Sequence, residues 1–412
     1  MNRSRWRAAC AAAWLVTGSA HAADDRGFHG AIGMSVQHDN NVLRLPSGQT
    51  PSDAGLSIDP GDNGSHRGDT ITSPFVSLNA DLALGRQHVG VSGLHRETRL
   101  DHYSAYNSHS GDLHAYWDWQ LGNDFDGRID AGSSDQATEL QDFLGSRRNV
   151  LTLLSEHALV NWRPRPDRRV SLDRQRYRGS NDVPALASAD YDVGVWGIEG
   201  AWITALATEL NLRWRHTDGH YPNRSISAAI PVDNSYRQDD AEVGVVLRPG
   251  GRTSADVRLG YATRRHEQVP QRNFEGPSGR AGVEWQAGGA LALTLDAVRD
   301  LNALADFDRL FAVSTHIALG ARWVPAAQWQ LAWRWSDERL VYGGDPQNLL
   351  TQTFGQTPER RDRIRSTHLA LTWIPLVRVQ VELSFDRSQR DSNRPGLAYA
   401  SQQAGLSTSY SF

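Results

Sequence analysis

The sequence predicts an all-β chain closed into a transmembrane antiparallel up-and-down barrel of about 18 strands, with short turns at one end and longer loops at the other. Three observations predict it. Apolar and polar residues alternate with period two through nearly the whole length. The connections between alternating segments are short and long in turn. The chain ends on an aromatic residue, Phe412, behind apolar residues at every second place. Composition narrows the choice. The 412 residues carry a net charge of −4 and are only 39% apolar, and the mean hydropathy is −0.53. Past the N-terminus there is no apolar window approaching the roughly 20 residues a membrane helix needs. Near-balanced charge argues against a basic nucleic-acid-binding domain.

The N-terminus comes first. Arg3, Arg5 and Arg7 precede a short apolar run, Ala8 to Val16, and a small-x-small cleavage site at Ala20-His21-Ala22. Residues 1–22 therefore read as a secretory signal peptide, and 23–412 as one barrel domain. The only cysteine, Cys10, lies in the signal segment. The mature chain is then expected to hold no disulfide and no thiolate chemistry. It keeps 40 basic residues against 47 acidic, a charge of −7.

The strands follow. Trp329, Leu331, Trp333 and Trp335 alternate with Gln330, Ala332, Arg334 and Ser336. Leu210, Leu212 and Trp214 alternate with Asn211, Arg213 and Arg215. Val377, Val379, Val381, Leu383 and Phe385 alternate with Arg378, Gln380, Glu382, Ser384 and Asp386. The segments run to about 11–16 residues. That is long for a soluble sheet, whose strands average about 5–6, and suits tilted membrane strands. Short connections occur at Gly85-Arg86-Gln87, Gly122-Asn123, Arg163 to Asp167, Ala205 to Ala207, Pro249 to Gly251, Gly288-Gly289, Pro325-Ala326 and Pro375-Leu376. Polar connections such as Asn40 to Arg67, Glu139 to Arg147 and Gly343 to Pro358 are longer. Counting between connections yields 18 strands, or 16 if two of the shorter segments merge. An even count puts both termini at the short-turn, periplasmic end of a barrel in the bacterial outer membrane.

Trp119, Trp162, Trp202, Trp285, Trp323 and Trp373 each fall near a short turn. With Phe412 they are expected to form the periplasmic aromatic girdle, where an apolar ring with a polar N–H is best placed. Three of them occur as Trp-x-Pro: Trp162-Arg163-Pro164, Trp323-Val324-Pro325 and Trp373-Ile374-Pro375. The last strand, ending Leu406 to Phe412, fits recognition by barrel-assembly machinery through strand addition. The mid-strand charges Arg213, Arg215, Arg334, Arg378, Glu382 and Asp386 are expected to line the lumen. An Arg facing lipid at mid-depth would cost roughly 2–4 kcal/mol.

Motifs for chemistry are absent. His266-Glu267 lacks the second His of a zinc motif, and Gly90-Val91-Ser92-Gly93 lacks the spacing of a nucleophile elbow. Asp59 to Gly64 is similar to a calcium loop, but Thr70 stands where the closing carboxylate belongs. The 15 His are scattered. No metal, cofactor or catalytic residue is expected.

Three segments carry a family resemblance. They are His38-Asp39-Asn40-Asn41-Val42-Leu43-Arg44-Leu45-Pro46, Arg67-Gly68-Asp69-Thr70-Ile71-Thr72 and Trp117-Asp118-Trp119-Gln120-Leu121-Gly122. They resemble the first-strand exit, second-strand entry and a following turn of the exopolysaccharide-biosynthesis outer-membrane β-barrel family. That family is EpsL-like, associated with exosortase systems, and falls in the putative β-barrel porin 2 group. The resemblance is strongest over residues 28–125. It implies export of a polysaccharide chain, with periplasmic export components and outer-membrane lipid as partners. A general diffusion porin is the alternative expectation, and a barrel enzyme or surface adhesin a more distant one. The loop Asn40 to Arg67 is a candidate gate.

Overall fold

The computed structural model describes residues 27–53, 66–138, 148–205, 208–224, 234–268, 270, 273–302, 311–343 and 360–412. Residues 1–22, read above as a signal peptide, the Asp59 to Gly64 loop and parts of six long connections lie outside them. Strands β1 to β6 span Gly27–Asp39, Asp69–Leu84, Gln87–Leu100, Ser108–Leu121, Phe125–Ala137 and Val150–Arg165. Strands β7 to β12 span Arg168–Asn181, Tyr191–Ile203, Glu209–His220, Ser235–Leu247, Thr253–His266 and Phe274–Gln286. Strands β13 to β18 span Leu291–Asn302, Phe311–Ala326, Trp329–Gly343, Arg361–Leu376, Val379–Ser392 and Tyr399–Ser411.

Each strand pairs antiparallel with its neighbours in sequence, and β1 pairs with β18 from Ala31↔Ser411 to Asp39↔Gln403. The 18-stranded sheet is therefore closed. Closure is what the bilayer requires, because an unpaired backbone edge in hydrocarbon costs several kcal/mol per group. No helix among the described residues is long and apolar enough to cross a membrane; the crossing is made by strands.

Following paired residues once around the ring accumulates a stagger of about 22 residues, a strand tilt of about 40° and a backbone radius of about 18 Å. After side chains, a lumen about 20 Å wide remains, too wide for wall residues alone to fill. The outward apolar run on β1, Phe28 to Val36, rises about 20 Å along the axis, against a band of about 25 Å in such barrels.

The Trp-x-Pro motifs have a structural cause. At each one the register slips by one residue: between Trp162 and Arg165, between Trp323 and Ala326, and between Trp373 and Leu376. Proline has no N–H for the ladder, so it is accommodated at a bulge. The preceding residue still donates its N–H sideways: Arg163 to Asp124 O, Val324 to Ala290 O and Ile374 to Gln328 O, at 2.7–2.9 Å. In the turns after β2 and β4, Gly85 and Gly122 take φ of 65° and 63°, where L side chains are disfavoured.

The slip also corrects one expectation. Arg378 is no wall residue. It sits with Val377 at the tip of the β16–β17 turn, at the periplasmic rim, because the bulge moves the start of β17 to Val379.

Candidate functional site: inner wall and mouth

Contacts between strands that are not neighbours identify the concave face, since only there do side chains converge. Arg169 on β7 reaches Glu209 on β9 at 2.7 Å, and Arg258 on β11 lies 4.0 Å from Glu199 on β8. The opposite face carries Leu172, Leu212 and Leu259, all more than half exposed, and turns to lipid. Strand alternation then assigns every residue of the wall to one face.

On this inner face Arg213 lies in register between Glu199 and Glu242. Arg215 is 3% exposed and reaches both Asp240 and Glu242 at 3.2 Å. Arg169 also holds Glu199 at 3.2 Å. Arg334 is opposite His368, whose Nδ1 is 2.7 Å from Asp386 Oδ1. Thr372 Oγ1 donates to Glu382 Oε2 at 3.2 Å. Arg334, Glu382 and Asp386 thus meet around His368 on β15–β17, and Arg213 and Arg215 belong to a second network on β7–β11.

Sequence reading missed a third network. His157 on β6 bridges Asp130 on β5, at 2.8 Å, and Asp173 on β7, at 3.1 Å. His114 approaches Asp130 at 3.4 Å and Gln175 donates to Asp173 at 2.9 Å. Nearer the short turns, Asn161 donates to Asp126 at 2.8 Å and Ser171 to Asn161 at 2.7 Å. Alternation alone could have put these residues on one face. Their meeting depends on register, which no local pattern encodes.

Inward acids gather on β2 to β5 and again on β13, across the ring. On β2, β4, β5 and β13 the inward acids include Asp81, Asp112, Asp118, Asp126, Asp130, Asp296 and Asp300. The inward arginine on those strands is Arg128, which is paired with Asp118 at 2.5 Å and covers the Tyr116 ring at 4.6 Å, and beside them Arg96 of β3 covers the Phe75 ring and Arg163 of β6 pairs with Asp126.

At the long-loop rim the His38 to Pro46 segment forms a compact corner. Asn41 N donates to Asp39 Oδ1 at 2.8 Å. Its Nδ2 donates to Leu45 O and to Ala400 O, and its Oδ1 accepts from Leu45 N, all at 2.9 Å. Arg44 takes a positive φ of 55° and donates to Asp39 Oδ2 and Asn41 O at 2.6 Å. Arg67 donates to Leu45 O at 2.6 Å. Beneath this corner Val42, Leu43 and Leu45 pack with Leu100, Tyr103, Tyr106 and Ile71. Ile71 and Leu100 face inward, so this half of the loop covers the inner side of the mouth over β2 and β3. Burial pushes the Tyr106 hydroxyl pKa up, keeping it neutral. Elsewhere on the rim Arg264 covers the Tyr236 ring at 4.3 Å and Arg360 the Tyr342 ring at 4.3 Å. Both tyrosines are buried, so these stacks brace the rim.

The outer face carries Trp162, Trp202, Trp285, Trp323, Trp373 and Phe412, exposed and close to the short turns. Trp119 is half-buried, because its ring fills the space left by Gly127 across the strand. Trp329 joins the same level, stacked on Trp373 with centroids 5.7 Å apart. Phe412 closes the seam. Gly30 N donates to Phe412 O at 3.0 Å, and Phe412 N to Gly30 O at 2.9 Å.

Among solved structures, the chain is similar to OccK2 (OpdF) of Pseudomonas aeruginosa, with a TM-score of 0.50 and 10% identity over 93% of this chain and 98% of that one. It is similar to OccK9 (OpdG) of the same organism, with a TM-score of 0.48 and 11% identity over 93% and 98% of the chains. The siderophore receptor PirA from Acinetobacter baumannii gives a TM-score of 0.45 and 9% identity, over 94% and 81%. No family model and no curated protein matches the chain. The resemblance to the exopolysaccharide family therefore rests on the motifs quoted above. At such identities the likeness is one of fold: a porin-like barrel of the outer membrane.

Proposed function

We propose that this barrel is a passive, non-enzymatic aqueous channel that admits small hydrophilic solutes and favours cations over anions. One observation carries the proposal: the inward acids of β2 to β5, Asp81, Asp112, Asp118, Asp126 and Asp130, outnumber the inward arginines of the same strands, Arg96 and Arg128, with Arg163 of β6 against Asp126. Carboxylate-lined pores concentrate cations. The fixed charge acts within a screening length of about 8 Å at physiological salt, so in a lumen about 20 Å wide the preference is modest. The inward arginines of β7–β11 weigh less, because Arg169 and Arg215 are each shared between two acids. The test is the reversal potential of the purified protein in a planar bilayer across a potassium chloride gradient. A cation-selective sign is expected, and a smaller potential for Asp296→Asn with Asp112→Asn. An anion-selective sign, or a bilayer that stays insulating, refutes it.

Export of a polysaccharide chain is the second reading. The quoted motifs and the width of the ring favour it. A clean deletion discriminates: polymer retained in the periplasm supports export, and unchanged secretion with reduced small-solute uptake supports the diffusion channel.

A further inference from the structure

Above the apolar band the outward face is charged, and its charge is unevenly distributed. On β9–β11 opposite charges meet. His216 Nδ1 is 2.9 Å from Asp239, Arg237 reaches Asp218 at 3.6 Å and Glu267 at 3.0 Å, and Arg265 reaches Glu275 at 3.3 Å. On β15–β17 the outward positions above Trp335, Leu369 and Phe385 hold Arg339, Arg361, Arg363, Arg365 and Arg387. Their outward acids among the described residues are Asp337 and Asp391.

Register makes the excess local. Arg339 is directly opposite Arg363, a like-charge cross-strand pair that is destabilising by itself. Both draw on Asp337, at 3.6 Å and 2.6 Å, and Asp337 is 7% exposed beneath them. Arg365 takes Asp391 at 2.5 Å. Arg387 is exposed and lies in register between Thr367 and Gln402, with no acid on either side. The patch lies about 20 Å above the Trp329–Trp373 level, at the upper edge of the apolar band. Guanidinium groups there meet lipid headgroups, and planar forks match phosphate oxygens.

We infer that the outward arginines of β15–β17 form a docking site for a phosphorylated glycolipid of the outer leaflet, its phosphates lying between Arg339, Arg363 and Arg387. The lipid relieves the Arg339–Arg363 repulsion, and the charge-balanced face of β9–β11 offers no equivalent. This inference is independent of what passes through the lumen.

The experiment measures thermal unfolding of the full chain in a zwitterionic detergent, with added lipopolysaccharide. Arms with dephosphorylated lipopolysaccharide and with inorganic phosphate run beside it, and folded protein is verified by its heat-modifiable migration. Lipopolysaccharide is expected to raise the unfolding temperature of the wild type, and the dephosphorylated form and free phosphate to leave it unchanged. Arg363→Ser with Arg387→Ser should weaken the apparent affinity at least tenfold. Arg387→Gln alone, which breaks no ion pair of the wall, should weaken it severalfold. Arg237→Ser with Arg265→Ser should not change it. Equal stabilisation by the dephosphorylated lipid or by free phosphate, or undiminished binding in Arg387→Gln, overturns the inference.

Discussion

Asn41 uses one amide to join three segments: it fixes the β1 exit through Leu45, reaches β18 through Ala400, and follows Asp39 in the chain. Asn41→Ala leaves those backbone groups without their partner. The expected loss is about 2 kcal/mol, read as a lower temperature for the heat-modifiable shift on a gel. Arg215 poses the opposite problem. Arg215→Met removes the guanidinium that Asp240 and Glu242 share, at a cost of about 3 kcal/mol. Adding Asp240→Asn and Glu242→Gln should recover most of it, since the penalty belongs to the carboxylate charge that Arg215 offset. Recovery in the triple variant checks that cause. Neither partnership was legible beforehand. Alternation placed Arg213 and Arg215 on the polar face, but their acids come from strands separated by loops of unequal length.

Among the elements, the Trp-x-Pro hairpins recur as a unit on β6–β7, β14–β15 and β16–β17. Each combines an interfacial ring, a bulge and a two-residue tip. Trp373→Ala removes the ring stacked on Trp329. It should lower stability by about 1–2 kcal/mol, whereas Trp373→Phe should retain most of it. Paired melts in one detergent decide between them. The seam of β1 and β18 depends on a glycine. A Cβ at Gly30 would collide with the Phe412 ring. Gly30→Val is therefore expected to displace Phe412 and reduce the folded fraction recovered from membranes, and Phe412→Ala in the same chain should restore it. The motif and its closeness to a turn were visible in the sequence. The bulge was not, and it is why Arg378 ends at a hairpin tip.

For the molecule as a whole, ring size and mouth covering set what can pass. Eighteen strands enclose a lumen about 20 Å across, and the Val42, Leu43 and Leu45 corner covers part of its mouth. Replacing Val42 to Pro46 by glycine and serine should enlarge the single-channel current in planar bilayers. An unchanged current would place the narrowest point elsewhere. The charge pattern works at this scale too. The chain is acidic overall, yet its outward upper face on β15–β17 is cationic.

By itself the sequence determined the strands, the polar and apolar faces and the end of the barrel that carries the short turns, while it left the strand number at 18 or 16 and the closed ring fixed it at 18. These are local properties: period two, turn residues and alternating loop length are all readable within about twenty residues. Tertiary structure alone decided register, and register decided which side chains meet. It joined His157 to Asp130 and Asp173, set Arg339 against Arg363, folded the Asn41 corner over the mouth and moved Arg378 out of the wall. A shift of one residue between neighbouring strands would preserve every local pattern in this chain and dissolve each of those contacts, because the ladder that sets register closes only when all the strands are in place.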